Sequence, residues 1–310
     1  MGIDTMLSGR RYPLLHDAKS LYKRFSSKPL TSLFLIGHIT ICGYLYQASI
    51  VSYEMESAWG KAGGSLDVVD RLLLTFDPSY GIPYVWILCS VPVMIWVSRA
   101  MPSIKEPRYL VAFGTPALSY ASRIAGFVAC SLACGACAYL AACFSAYIQL
   151  SICAPQQQPS AIPVLQTLNT TSPDGFFANM FGRPLNSSPN LLLFHIFNYL
   201  YCVGTICISL VGMLALEIIT GKAWVGVTVM ALLGMPIVHS STSFIYDIVR
   251  NISGGVLAGT NPLAYVYERW SIAHISWSPV VGHGVAAFAG ACLCLVMVSL
   301  AVMVFRDSLD

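Results

Sequence analysis

Three cysteines in the chain have a spacing that could hold a soft metal. Cys130, Cys134 and Cys137 recur at i, i+4 and i+7, so a helix would place them on one face. Thiolates on such a face are ligands for zinc or an iron–sulfur cluster. The residues around them are mostly alanine and glycine, however, and there cysteine serves as one more small residue that lets helices approach closely. Because a thiolate without a metal is costly in apolar surroundings, we interpret this face as a packing surface and predict no metal site.

A histidine and an asparagine lie one helical turn apart in another apolar stretch, at His195 and Asn198. Polar side chains within apolar helices usually face the interior of a bundle and can line a pathway. The same residue types also bond a neighbouring helix without any further role, so both interpretations stay open. No Asp or Glu lies in the middle of an apolar stretch. That absence weakens the case for a proton- or sodium-coupled transporter, which commonly needs such a group.

Hydrolytic chemistry is suggested only by His239 and the hydroxyl residues at 240–243. The chain lacks the G-x-S-x-G elbow, the G-x-x-x-x-G-K-[ST] phosphate loop and the H-E-x-x-H zinc helix. A serine cluster after an apolar helix is typical of a cap and turn. We therefore predict no catalytic residues and no cofactor bound by this chain.

The elements that carry these residues have the composition of membrane helices. The chain is 56% hydrophobic and 10% charged, with a mean hydropathy of +0.68, whereas soluble domains average about 25% charged residues. A span needs about 20 apolar residues to cross a hydrocarbon core of about 30 Å. We predict a single all-α domain over 1–310, a polytopic membrane protein with six transmembrane helices at 31–51, 82–97, 126–152, 191–216, 224–238 and 282–305. Pro92, inside the second of these, predicts a kink.

The distribution of basic residues predicts the orientation. With the N-terminus inside, the cytoplasmic segments carry twelve of the 17 Lys and Arg residues, as the positive-inside rule requires. We predict a multi-pass protein of the cell (inner) membrane with both termini cytoplasmic. The net charge of +3 then reflects topology, and it indicates no nucleic-acid partner.

The segments between the predicted spans have characters of their own. Residues 1–29 combine an apolar stripe with interleaved basic residues, which predicts an amphipathic helix at the inner surface of the lipid bilayer. Residues 154–189 are rich in Pro, Gln, Asn and Ser and predict an extracytoplasmic loop. Residues 240–281 are too polar to span and too apolar for a plain loop, and glycine and proline divide them. They predict a re-entrant helical hairpin at the outer leaflet.

The stretch 108–125 begins before the third span and is more polar than it. Thr115-Pro116 is typical of a helix start, with Thr as N-cap and Pro at the first helical position. A helix from Pro116 to Ile152 would be about 55 Å long, far more than a bilayer needs. We therefore predict a separate cytoplasmic coupling helix over 108–125 that turns near Gly126 into the third span.

This arrangement resembles the permease subunits of ABC-2 type exporters. The shared features are an N-terminal interfacial helix, six spans, a coupling helix between spans two and three, an outer re-entrant hairpin between spans five and six, and a short cytoplasmic tail such as "VFRDSLD". The stretch "FGTPALSYASRI" occupies the position where such permeases dock their ATPase. The chain departs from the pattern in having few basic residues in that stretch and a long loop between spans three and four, which leaves the subfamily and the substrate open.

The resemblance implies a function. Two permease chains, identical or different, would pair around a pathway and bind two cytoplasmic ABC ATPase subunits that carry ATP and Mg²⁺. The cargo of such exporters is often amphipathic: a drug, peptide, lipid or glycan. The ATPase-coupling residues implied are Thr115, Pro116, Ser119, Tyr120 and Arg123. The implied substrate pathway holds Tyr44, Tyr46, Gln47, His195, Asn198 and Tyr199.

Two alternatives stay open. A stand-alone secondary transporter or channel would be favoured by a charge in mid-membrane or an inverted repeat. A membrane scaffold or enzyme subunit would be favoured, in its enzymatic form, by a cluster of His, Asp and Glu. The sequence shows none of these features.

Overall fold

The computed structural model describes residues 13–52, 71–72, 75–76, 84–101, 113, 115–153, 191–233, 293–294 and 296–302. All regular structure in these ranges is helical and none of it is strand. The prediction of an all-α protein is therefore confirmed for the described part of the chain. The predicted outer loop at 154–189 and hairpin at 240–281 lie outside the described residues.

The longest helices have the length and composition of membrane spans. Three are long and apolar enough to cross a membrane, Pro29–Ser49, Ala117–Gln149 and Asn198–Thr220. Two shorter apolar helices, Tyr84–Ala100 and Ala223–Leu232, accompany them. The described part of the chain thus has the architecture of a multi-pass membrane protein. Of the sixth predicted span, 282–305, only residues 293–294 and 296–302 are described, and they are helical.

The N-terminal segment forms two helices separated by one residue. A 3₁₀ turn at Pro13–Leu15 leads into helix α1 (His16–Ser27), and α2 (Pro29–Tyr46) begins directly after Lys28. Lys28 has φ −123° and ψ 67°, outside the helical region, because a residue that precedes proline is pushed away from it. Pro29 then starts α2, where a missing N–H costs nothing. The helix predicted within 1–29 is confirmed, while its place at the membrane surface stays a prediction.

The second apolar segment is irregular next to its proline. A π-helical turn at Tyr84–Cys89 leads into helix α3 (Ser90–Ala100). Pro92 has no N–H to donate, so a regular hydrogen-bond ladder cannot run across this point. The hydroxyl of Ser90 donates to the Val85 carbonyl at 2.8 Å, which satisfies one carbonyl of the wide turn.

The predicted turn near Gly126 is wrong. One helix, α4, runs from Pro116 to Cys153 over 38 residues, a length of about 57 Å. Gly126 serves a different purpose, since a Cβ there would lie 3.1 Å from the Cβ of Asp17 and 3.3 Å from its carbonyl carbon. The glycine therefore marks a close crossing of α4 and α1, and the coupling segment is continuous with the third span from Pro116 onward.

The remaining helices pack around α4. Helix α5 (Leu191–Thr220) lies antiparallel along it, and α6 (Ala223–Leu233) folds back on α5. Where α4 and α5 are closest, a Cβ on Gly135 would meet a Val203 methyl at 2.8 Å. Between α5 and α6, Gly221 adopts a φ of 77° and its N–H bonds the Glu217 carbonyl at 2.8 Å. This is the left-handed helix end that favours glycine.

One end of the bundle carries almost all of the described positive charge. The start of α4, the whole of α1, the end of α3 and the turn between α5 and α6 lie at this end, which we call the basic end. It holds Lys19, Lys23, Arg24, Lys28, Arg99, Arg123 and Lys222, and among described basic residues only Arg71 lies elsewhere.

Candidate functional site

The junction of α1 and α4 contains a buried ion pair. Arg123 Nε donates to Asp17 Oδ2 at 3.0 Å, and the two side chains are 4% and 2% exposed. Burying two charges costs free energy unless their remaining hydrogen-bonding atoms are also satisfied. Asp17 meets that condition, since its Oδ1 lies 3.2 Å from His16 Nδ1 and its backbone N–H donates to Ser122 Oγ at 3.3 Å. Helix α1 is therefore attached to the start of α4 by specific polar contacts.

Tyr120, one turn before Arg123 on α4, contacts residues 296–299. The hydroxyl of Tyr120 hydrogen-bonds to that of Ser299 and also donates to the Val296 carbonyl at 3.4 Å. Tyr120 is 3% exposed. Tyr120 and Arg123 are three residues apart and share one face of α4, so this face of the first turns is covered by α1 and by residues 296–302.

These contacts decide where the predicted ATPase-coupling residues lie. Thr115 caps α4 as predicted: its hydroxyl accepts the Leu118 N–H at 3.3 Å, and Pro116 is the first helical residue. Thr115 is exposed, but Ser119, Tyr120 and Arg123 are buried against the chain's own elements. Of these five residues, only Thr115 has a side chain known to be accessible to a partner. The side chains of Ser119, Tyr120 and Arg123 are buried in this structure, and their role in ATPase coupling stays a prediction.

Aromatic rings from five parts of the chain meet in the interior. Phe76 stacks on Tyr139 with ring centres 5.9 Å apart, and it contacts Tyr84 at 6.3 Å and Tyr201 at 6.4 Å. Tyr46 adds a further ring, 5.6 Å from Tyr84. Tyr46, Phe76 and Tyr84 are each at most 2% exposed. We call these five residues the aromatic cluster.

Two predicted pathway residues extend the aromatic cluster along α5. The Tyr139 hydroxyl hydrogen-bonds to His195 Nδ1, and the two rings are 6.2 Å apart. Tyr199 also contacts Tyr139, at 6.4 Å, and its hydroxyl donates to the Leu132 carbonyl at 3.4 Å. Asn198 lies on the same helix and is buried. By contrast, Tyr44 is 39% exposed on α2, and its side chain points away from the interior that holds Tyr46.

A buried polar group adjoins the aromatic cluster beyond the end of α2. Gln47 Nε2 donates to the Thr75 hydroxyl, which donates to the Arg71 carbonyl at 2.6 Å. Arg71 Nη1 donates to Ser52 Oγ at 3.3 Å. Arg71 as a whole is only 4% exposed. Gln47 Oε1 is buried and accepts no hydrogen bond among the described residues. The structure thus places one charged group and several polar groups beside the aromatic cluster.

Sequence reasoning did not find all members of these clusters. Phe76, Tyr84 and Tyr139 are ordinary aromatic residues of apolar stretches, and nothing local indicates that they meet. Arg71 lies between the first and second predicted spans, and it is buried. The available signal was its spacing to Thr75, one helical turn away with apolar residues between them.

The cysteine face predicted on α4 is present as a face. Cys130 and Cys134 have sulfurs 3.9 Å apart and are partly buried, as is Cys137. Within the described ranges, no group of three or more His, Cys, Asp or Glu side chains is placed to hold a metal ion. The close approach of Gly135 to Val203 lies on the same stretch of α4, which supports a packing role for these small residues.

The fold and these clusters define a class, a multi-pass all-α membrane protein with a buried aromatic and polar interior. Comparison with protein-family models, with curated proteins and with solved structures finds no match for the chain.

Proposed function

We propose that the chain is the membrane-spanning permease subunit of an ATP-driven ABC exporter of an amphipathic substrate. It works with separate cytoplasmic ATPase subunits and with a second permease chain. The observation that carries the proposal is the unbroken helix α4, Pro116–Cys153. At about 57 Å it exceeds a hydrocarbon core of about 30 Å, and we propose that its first turns extend beyond the membrane while the rest crosses it.

The continuity of α4 supports coupling at a distance. A packed helix moves as a rigid element, so displacement of its capped start at Thr115 would displace the length that carries Tyr139. Because the ion pair of Arg123 with Asp17 attaches α1 to the same turns, the displacement would also reach α2 through its one-residue connection to α1. Two spans that contribute to the aromatic cluster would then move together.

The aromatic cluster supports an amphipathic cargo. Tyrosine rings offer apolar faces together with polar hydroxyls, and the buried polar group of Gln47, Thr75 and Arg71 lies next to them. In the structure described, Tyr46, Phe76 and Tyr84 are buried and leave no open passage between them. Passage of a cargo would therefore require α2, α4 and α5 to separate, and that separation is the work assigned to ATP hydrolysis.

The test is copurification of an ATPase. The affinity-tagged chain, extracted from its native membrane, is expected to retain a protein with a Walker-type ATP site. Ala117→Arg, on the exposed side of the first turn of α4, is expected to lose that ATPase. Ser151→Arg, exposed at the far end of the same helix, is the matched control and is expected to retain it. A lone purified chain that transports cargo in liposomes without an ATPase would overturn the proposal.

A further inference from the structure

Helices α2 and α3 enclose a groove at the basic end of the bundle. Its volume is about 460 Å³. The α2 residues that line it recur at positions 31, 34, 35 and 38, and those of α3 at 92, 95, 96 and 99. Each set is one face of a helix, so the groove follows the line along which the two helices run side by side.

One end of the groove is strongly cationic. Arg24, Lys28 and Arg99 surround it, and none of the lining residues is acidic. All three basic residues are exposed. Arg24 Nη1 donates to the Arg99 carbonyl at 3.4 Å, which holds α1 and α3 together and brings the three cations to one place. Such a group of cations attracts a phosphate.

The rest of the groove is mostly apolar, and its polar lining residues are Thr31 and His38. Leu35 lies buried at its floor, while Phe34 and Ile95 are 73% and 40% exposed along its sides. Trp96 closes one side, held by an edge contact to Phe25 with ring centres 6.1 Å apart. From Thr31 to His38 the groove follows α2 for about 10 Å. Because α2 is a candidate membrane span, this part of the groove would lie at the depth of lipid chains in a bilayer.

We propose that this groove binds one anionic phospholipid. The headgroup phosphate lies among Arg24, Lys28 and Arg99, and the upper part of one acyl chain lies along Phe34, Leu35 and Ile95. A basic pocket between membrane helices is a known form of lipid headgroup site, and here the apolar groove leads directly away from it. A free phosphate would use only the cationic end, whereas a phospholipid uses both. The bound lipid would join α1, α2 and α3 independently of any transport function.

The experiment measures lipid binding to the full-length chain in detergent. The probe is phosphatidylglycerol, compared with phosphatidylcholine of the same acyl chains and with inorganic phosphate. Native mass spectrometry counts the bound lipids, and thermal unfolding reports their effect on stability. The wild-type chain is expected to retain one phosphatidylglycerol and to unfold at a higher temperature with it, but not with phosphatidylcholine or phosphate.

Charge-matched variants test the cationic end. Lys28→Gln with Arg99→Gln removes two groove cations and is expected to weaken phosphatidylglycerol binding by on the order of thirtyfold. Lys23→Gln with Lys222→Gln removes two exposed cations of the basic end that do not line the groove, and it is expected to bind as the wild type does. Equal loss in both variants would show diffuse attraction to basic charge and would overturn the site.

A second pair tests the apolar part while all charges stay in place. Thr31 and Thr40 are both exposed on α2. The Thr31 hydroxyl donates to the Lys28 carbonyl just before the helix, and the Thr40 hydroxyl donates to the Ile36 carbonyl within it, each at 2.9 Å. Only Thr31 lines the groove. Thr31→Trp is expected to fill the groove and expel the lipid, and Thr40→Trp to leave binding unchanged. Retention of the lipid by Thr31→Trp, or equal stabilisation by inorganic phosphate, would show that no acyl chain occupies the groove.

Discussion

Arg123 Nε lies 3.0 Å from Asp17 Oδ2, although 106 residues separate the two in sequence, and both side chains are buried. The pair joins the N-terminal helix α1 to the first turns of α4. An amphipathic helix that only bound the bilayer surface would make no buried ion pair with a span. Helix α1 is therefore part of the bundle, and the first prediction concerns the strength of that attachment.

Replacement of Asp17 by Asn leaves the Arg123 guanidinium buried without its counter-charge. We expect a loss of about 3–5 kcal/mol in the free energy of unfolding, the usual cost of breaking a buried pair from one side. Replacement of both partners, Asp17→Leu with Arg123→Met, is expected to recover most of it because no unpaired charge remains. Unfolding of the full-length chain in detergent measures both. Equal stability of Asp17→Asn and the wild type would contradict the ion pair.

Two glycines offer a matched comparison. Gly126→Ala places a Cβ 3.1 Å from Asp17, whereas Gly37→Ala meets no atom within 4 Å. In both, alanine gains about 1 kcal/mol of helix propensity, but at Gly126 overpacking costs about 1–3 kcal/mol. Gly37→Ala should therefore be stabilising and Gly126→Ala neutral or destabilising, as seen in thermal unfolding. The opposite order would show that α1 does not cross α4 at Gly126.

The aromatic cluster depends on Phe76. Phe76→Ala removes a ring that contacts three others, and we expect it to cost about 3–5 kcal/mol of unfolding free energy. Phe34→Ala is the control, since that ring is 73% exposed and should change stability little in detergent. If the two variants unfolded alike, the cluster would not be a packed interior.

If the chain binds an ATPase as proposed, a variant could lose that binding either by unfolding or by changing the docking surface. Because the resemblance implies that Tyr120 and Arg123 couple to an ATPase, Arg123→Glu together with Tyr120→Ala is expected to loosen its binding. The structure gives that variant a different mechanism, because both side chains contact internal partners, Asp17 and Ser299. We expect it to lower stability as well as ATPase retention. Ala117→Arg should lower retention alone, with an unchanged unfolding temperature. Unchanged retention by this variant would show that the exposed surface at the start of α4 is not the docking site.

Local chemistry explains which elements could be predicted. The start of α4 depends on the cap formed by Thr115 and on Pro116 after it, and it is present. The helix at His16–Ser27 depends on the spacing of residues within a few positions, and it is present as well. The continuity of α4 could not be predicted, because a glycine can end a helix or admit a neighbour. The choice at Gly126 depends on Asp17, which is distant in sequence.

The interior could be predicted only in part for the same reason. Tyr46 and His195 stand out as polar or aromatic residues near the ends of apolar helices. Which rings they meet depends on how α2, α4 and α5 pack, and periodicity carries no information about that. The burial of Arg71 depends likewise on Gln47, Ser52 and Thr75 lying together in space.

The length of α4 has a consequence for the surrounding bilayer. Its apolar segment, Ala117–Gln149, covers 33 residues, or about 50 Å, whereas a hydrocarbon core is about 30 Å thick. A long apolar helix fits a thinner membrane by tilting. Where α4 crosses a bilayer, we expect lipids with longer tails to favour an upright α4 and those with shorter tails an inclined one, with the start of α4 displaced between the two.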